Sequence, residues 1–146
     1  MRDHPDSVMR LVAEQCPEVL EPEVRKAYEK WTRFPADARS ESDLQSLCES
    51  TLMRYGIAYL HLSFKAREKK GWPDLTFCLF RTLEYYYTSW PCAVELKSKG
   101  GKLSGEQVTC LTTMKKNGWH TYVLREYEPF RDILLGKDVP EWEPGD

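Results

Sequence analysis

In the run Ala93-Val94-Glu95-Leu96-Lys97 the residue types alternate as on a half-buried strand. Side chains on a strand point to opposite faces in turn. Val94 and Leu96 therefore share one face, and Glu95 and Lys97 share the other. Asp74 stands where a loop containing Gly71 and Pro73 enters a second apolar run. If these two runs pair as neighbours, the Asp74 and Glu95 carboxylates converge. Carboxylates about 4 Å apart repel by ~1 kcal/mol in water and by ~4 kcal/mol at an effective dielectric of about 20. A hard divalent cation relieves such a pair, and Mg²⁺ accepts one or two carboxylates while leaving positions for water and phosphate. Such an ion, with Lys97 beside it, suits hydrolysis of a phosphate ester. Alone, Glu95 and Lys97 read equally as a solvent-facing ion pair, and Asp74 after Pro73 as turn chemistry.

Other residues border this centre. Glu41 and Gln45 lie one helical turn apart, and Glu41 stands three residues before Leu44, at the margin of a buried face. Glu41 is also a favourable first-turn acid. Gln107 forms an S-x-x-Q capping box with Ser104 and opens the helix that follows the Glu95 strand. Lys65, Arg67, Lys69 and Lys70 in one loop, and Lys99 and Lys102 in another, flank the centre and suit phosphate contacts.

The elements that position these residues are readable from periodicity and punctuation. Helices are predicted over 7–16 and 22–32, with Pro22 at a first helical position. A loop at 34–39 precedes the clearest helix, with Ser40 and Asp43 as a capping box. Its buried face is Leu44, Leu47, Cys48, Thr51, Leu52 and Tyr55, and Gly56 stops it. Strands follow at 57–63, 75–80 and 92–97, then a helix from Ser104 to near Gly118, a strand at 119–125 and a helix at 129–135. The aromatic stretch 82–90 fits no element clearly, and 141–146 is expected to fray. The order predicts an α/β fold, a mixed sheet with helices on its faces.

Composition narrows the class. A 146-residue chain with 41% hydrophobic and 30% charged residues fits one globular domain. No stretch is apolar enough to cross a bilayer, and the first residues lack the apolar core of a secretory leader. Five cysteines without C-x-x-C spacing argue against a disulfide framework or a zinc site, and predict buried thiols in a reducing cytosol. Between His61 and Arg125 eleven Lys and Arg face five Asp and Glu, whereas both ends are acidic. A basic middle is compatible with a phosphate-binding face, since local field outweighs the total charge of −2.

Four segments together, Glu41-Ser42-Asp43-Leu44-Gln45, Gly71-Trp72-Pro73-Asp74-Leu75, Val94-Glu95-Leu96-Lys97 and Leu103-Ser104-Gly105-Glu106-Gln107, resemble the virus-type replication–repair nuclease (VRR-NUC) family of the PD-(D/E)xK nucleases. The resemblance covers roughly 41–125. It implies a restriction-endonuclease-like αβββαβ core at 41–136. Residues 1–40, read as a helical extension packed on that core, and the long aromatic insertion at 82–90 depart from a minimal family domain, and 137–146 is expected to be a flexible tail. It implies Asp74 and Glu95 as ligands of Mg²⁺ or Mn²⁺, assisted by the Leu96 carbonyl. Lys97 becomes the catalytic lysine, with Glu41 and Gln107 as supporting site residues. It further implies an endonuclease on DNA, similar to small phage or bacterial members that cut branched DNA such as four-way (Holliday) junctions as homodimers. Expected locations are the cytoplasm of a bacterial or phage-infected cell, or a eukaryotic nucleus. Three alternatives stay open: a restriction-like or nicking enzyme on ordinary duplex, a nucleic-acid-binding module that does not cut, and a small α/β interaction protein.

Overall fold

The computed structural model describes residues 22–62, 70–82 and 84–146. The helix expected over 7–16 and the basic residues Lys65, Arg67 and Lys69 lie outside that range. Helix α1, Pro22–Thr32, buries Val24 and Trp31, two turns apart on one face. A 3₁₀ turn at Ala36–Ala38 interrupts the predicted loop. Helix α2, Glu41–Arg54, buries Leu44, Leu47, Cys48, Thr51 and Leu52 as the spacing predicts. Its cap is half of the expected box: Ser40 Oγ accepts from the Asp43 N–H at 3.1 Å. The Asp43 carboxylate pairs instead with Lys30 on α1, at 3.6 Å. Gly56, at φ 67°, ends the helix in the left-handed conformation that a Cβ disfavours.

The sheet has four strands in the order β1-β2-β3-β4. β1 is Tyr59–Leu60, β2 Leu75–Thr82, β3 Tyr87–Leu96 and β4 His120–Leu124. β1, β2 and β3 pair antiparallel, and β3 and β4 pair parallel. The parallel step needs a crossover, supplied by helix α3, Gly105–Lys116; helix α4, Tyr127–Leu134, closes the order. This is the mixed sheet with flanking helices that the sequence predicts.

Several boundaries differ. Among the described residues the first strand, expected over 57–63, pairs only through Tyr59 and Leu60; the Ile57 N–H is taken by the Leu52 carbonyl in the turn leaving α2. β3 starts five residues early and absorbs much of the unplaced aromatic stretch, running from Tyr87 opposite Thr82. Pro91 concealed this, because proline argues against a strand interior. β4 begins only opposite Cys92, so Pro91 lies outside the parallel ladder. The last helix starts at Tyr127, with Pro129 in its first turn, where a missing N–H costs nothing.

The main core lies between one sheet face and α1, α2 and α4, around Trp31, Leu47, Leu75, Phe77, Val94, Leu96, Tyr127 and Phe130. The other face carries Ala93 against Leu111, Met114 and Trp142. Trp142 corrects the expectation of a flexible tail. It is buried, its N–H donates to the Thr121 carbonyl at 2.7 Å, and its own carbonyl accepts from Thr121 Oγ1 at 3.0 Å. Helix α1 packs into the main core through Val24 and Trp31. Cys48 and Cys92 are buried thiols as expected, but Cys78 is exposed and Cys110 only half-buried. Among the described residues no helix is long and apolar enough to cross a membrane.

Candidate active site

The register of β2 and β3 decides whether the two carboxylates meet. Leu75 pairs with Val94, so Asp74, one residue before β2, falls beside the end of β3. Asp74 Oδ2 accepts from the Leu96 N–H at 2.8 Å. Glu95 and Lys97 share a face as predicted, with Lys97 Nζ 3.8 Å from Glu95 Oε1. That face turns towards α3, where Gln107 Nε2 donates to Glu95 Oε1 at 2.7 Å.

Glu95 is 3% exposed, and its Oε2 is buried with no donor aimed at it. The Asp74 and Glu95 carboxyls are close neighbours that influence one another's protonation. Burial raises the pKa of both. For Glu95 the charge of Asp74 adds to burial and pushes the group well above the carboxylate range, with Lys97 opposing. For Asp74 the Leu96 N–H pulls downward but burial prevails, and the Glu41 charge adds to the rise. Without a cation, the pair is set to retain a proton.

Gln107 serves two purposes at once. Its Oε1 accepts from the Ser104 N–H at 2.8 Å and Ser104 Oγ accepts from the Gln107 N–H at 3.2 Å, a complete capping box. Its Nε2 is thereby left for Glu95. Gly71 sets the approach of the Asp74 loop to this helix. At φ 84°, a Cβ there would collide with the Glu106 carbonyl and come 2.9 Å from the Gln107 nitrogen.

Glu41 reaches the site by a different bond. Its Oε1 accepts from the Ser98 N–H at 3.0 Å, just after Lys97. The Ser98 carbonyl accepts from Arg125 Nη1 at 2.7 Å, so Ser98 is held through both of the peptides that flank it. Arg125 was not singled out by sequence, and nothing in its spacing marks it. His61 was missed too. It contacts Gln45 and the Asp74 carbonyl, but a lone histidine leaving a short strand carries no pattern. Lys70, Lys99 and Lys102 are exposed. A cleft of about 850 Å³ lined by Ile57, Leu79, Phe80 and Leu135 opens at the other end of β2, away from the carboxylates.

Among the described residues no cluster of three or more His, Cys, Asp or Glu side chains is arranged to hold a metal. A cation here would rest on two carboxylates, with main-chain oxygen, water or phosphate filling the remaining positions. That donor set is all oxygen and suits a hard ion such as Mg²⁺. The buried Glu95 Oε2, which has no hydrogen-bond partner, fits the same ion, because a buried acceptor is costly to leave unmatched.

The VRR-NUC domain profile matches residues 10–126, most of the 146-residue chain. The chain belongs to the VRR-NUC family. This makes it a nuclease domain by family. The match begins at residue 10, so part of the N-terminal region read as an extension falls within the family domain. Comparison with curated proteins and with solved structures finds no match.

Proposed function

We propose that this VRR-NUC chain is a metal-dependent endonuclease that cuts DNA, with Asp74 and Glu95 holding Mg²⁺ or Mn²⁺. The observation that carries the reading is the buried Glu95 carboxyl, whose Oε2 has no hydrogen-bond partner and whose pKa is raised by burial and then by the Asp74 charge. The Leu96 carbonyl is the proposed third protein ligand. A bound divalent ion would lower the pKa of a water and polarise the phosphoryl oxygen.

The remaining chemistry falls to side chains. Water attacks phosphorus, one P–O bond to sugar breaks, and a phosphate end and a hydroxyl end result. Lys97 Nζ, fixed near Glu95, is placed to orient that water and to offset charge that builds on the phosphoryl oxygens. Gln107 holds Glu95, and Glu41 holds the turn after Lys97. Lys65, Arg67, Lys69, Lys70, Lys99 and Lys102 are proposed to grip backbone phosphates. The proposed substrate is branched DNA and the proposed assembly a homodimer, in a bacterial or phage-infected cytoplasm or a nucleus; the resemblance to small stand-alone members supports these.

The test is a cleavage panel of four-way junction, fork, single strand and linear duplex, each with Mg²⁺, Mn²⁺ or EDTA. Metal-dependent cutting, strongest on the junction and lost in Asp74→Ala and Lys97→Ala, is expected. Equal cutting of all duplexes would support a restriction-like or general nuclease. Binding without cutting under every metal would reject the catalytic reading.

A further inference from the structure

β1 leaves the sheet early. Its last paired residue, Leu60, sits opposite Thr76, two residues beyond Asp74. Here the half-buried His61 side chain substitutes for a ladder contact, with Nδ1 3.0 Å from the Asp74 carbonyl oxygen. A carbonyl only accepts, so Nδ1 carries the proton. The Gln45 amide nitrogen lies 2.9 Å from both ring nitrogens. The ring is thus braced between Gln45 on α2 and the Asp74 carbonyl at the start of β2.

This brace acts on a particular torsion. The direction of the Asp74 carbonyl fixes the peptide that follows it, and so how the Asp74 side chain sits relative to β2. Asp74 is then held at two points, its carbonyl by His61 and its Oδ2 by the Leu96 N–H.

We propose that His61, seated by Gln45, is a positioning residue that sets the Asp74 carboxylate for cation binding. The proposal rests on the metal-dependent reading given above. It extends that reading to a contact that acts through the backbone of the ligand residue rather than through the ligand atoms. Partners that orient metal ligands typically alter affinity or activity about 10–100-fold when removed.

The experiment measures Mn²⁺ affinity by calorimetry and by the loss of free-ion EPR signal, alongside thermal melts and cleavage rates across a Mg²⁺ series. His61→Phe and His61→Ala are expected to bind Mn²⁺ about 10–100-fold more weakly. Their cutting should fall at limiting metal and recover substantially at saturating metal. His61→Asn, whose amide nitrogen falls near the position of Nδ1, should restore most of the affinity. A purely structural histidine would lower the melting temperature without moving the affinity of the folded protein, and asparagine would not rescue it. If the alanine and phenylalanine variants do not fold, Gln45→Ala is expected to show a smaller loss of affinity in the same direction. Mn²⁺ binding by His61→Phe equal to that of the parent, or by Gln45→Ala where the former is insoluble, overturns the proposal while leaving the nuclease reading intact. A parent that binds no Mn²⁺ overturns both.

Discussion

Gln107 donates to Glu95 across 2.7 Å while its own oxygen closes the capping box of α3. One side chain thus ties the start of a helix to a candidate metal ligand. Gln107→Ala should lower stability by about 1 kcal/mol through the lost hydrogen bonds. Cleavage should fall about 10–100-fold as Glu95 loses its orientation. Urea denaturation and single-turnover rates measure the two effects, and a variant that loses stability but cuts normally would show that the bond to Glu95 is dispensable.

Glu95 also predicts a pH dependence. Its pKa in the folded, metal-free protein is raised, chiefly by burial and then by Asp74. The folded state therefore binds a proton more tightly than the unfolded state. The associated stability is full below the ordinary carboxylate pKa of about 4.3 and is lost as pH rises through the raised folded value. Glu95→Gln removes that loss, so in EDTA it should exceed the parent in stability by about 1–3 kcal/mol at pH 8. At pH 4 the gap should narrow. Cutting should be abolished throughout. Denaturation curves at the two pH values decide this, and a parent equal to the variant at pH 8 would show that Glu95 is not strained when ionised.

Gly71 and Gly100 form a matched pair. Both have positive φ, 84° and 87°, but a Cβ on Gly71 would strike the Glu106 carbonyl while one on Gly100 would meet nothing within 4 Å. Gly100→Ala should cost only the left-handed backbone penalty, about 1–2 kcal/mol. Gly71→Ala should cost more and should also slow cleavage, because α3 must shift and carry Gln107 with it. Equal denaturation midpoints for the two variants would contradict the close packing.

Trp142 reports on the C-terminal segment. Truncating a buried tryptophan to alanine typically costs about 3–5 kcal/mol. Trp142→Ala should fall in that range by chemical denaturation, since the ring packs with Ala93, Leu111 and Met114. A change under about 0.5 kcal/mol, the scale of surface substitutions, would return this segment to the status of a loose tail.

The sequence disclosed the helices and the chemistry best where local signals were redundant. α2 had a cap, a periodic face and a terminal glycine, and α3 had a capping box. The alternation around Glu95 correctly predicted that Lys97 shares its face. Long-range pairings were less legible. Nothing local to Trp142 announces Thr121 as its partner, and nothing local to His61 announces the Asp74 carbonyl. Tyr87–Trp90 was obscured because its strand partner lies across the hairpin and Pro91 interrupts the pattern. The burial of Glu95 depends on α3 folding over it, which residue alternation cannot state.

The unequal lengths of the strands have a consequence for motion. β1 covers only Thr76 and Phe77 of β2, and β4 accompanies β3 only from Cys92 onward. Among the described residues, the outer part of the β2–β3 hairpin therefore has pairing on one side only, with Phe80, Tyr85, Tyr86 and Tyr87 exposed. Backbone hydrogen bonds there can open without disturbing the core, whereas those around Val94 and Leu96 can open only with it. Amide protons of Phe80 to Thr82 should exchange with solvent well before those of Val94 to Leu96. Opening is thus expected to start at the tip of the hairpin, at the end opposite the carboxylates.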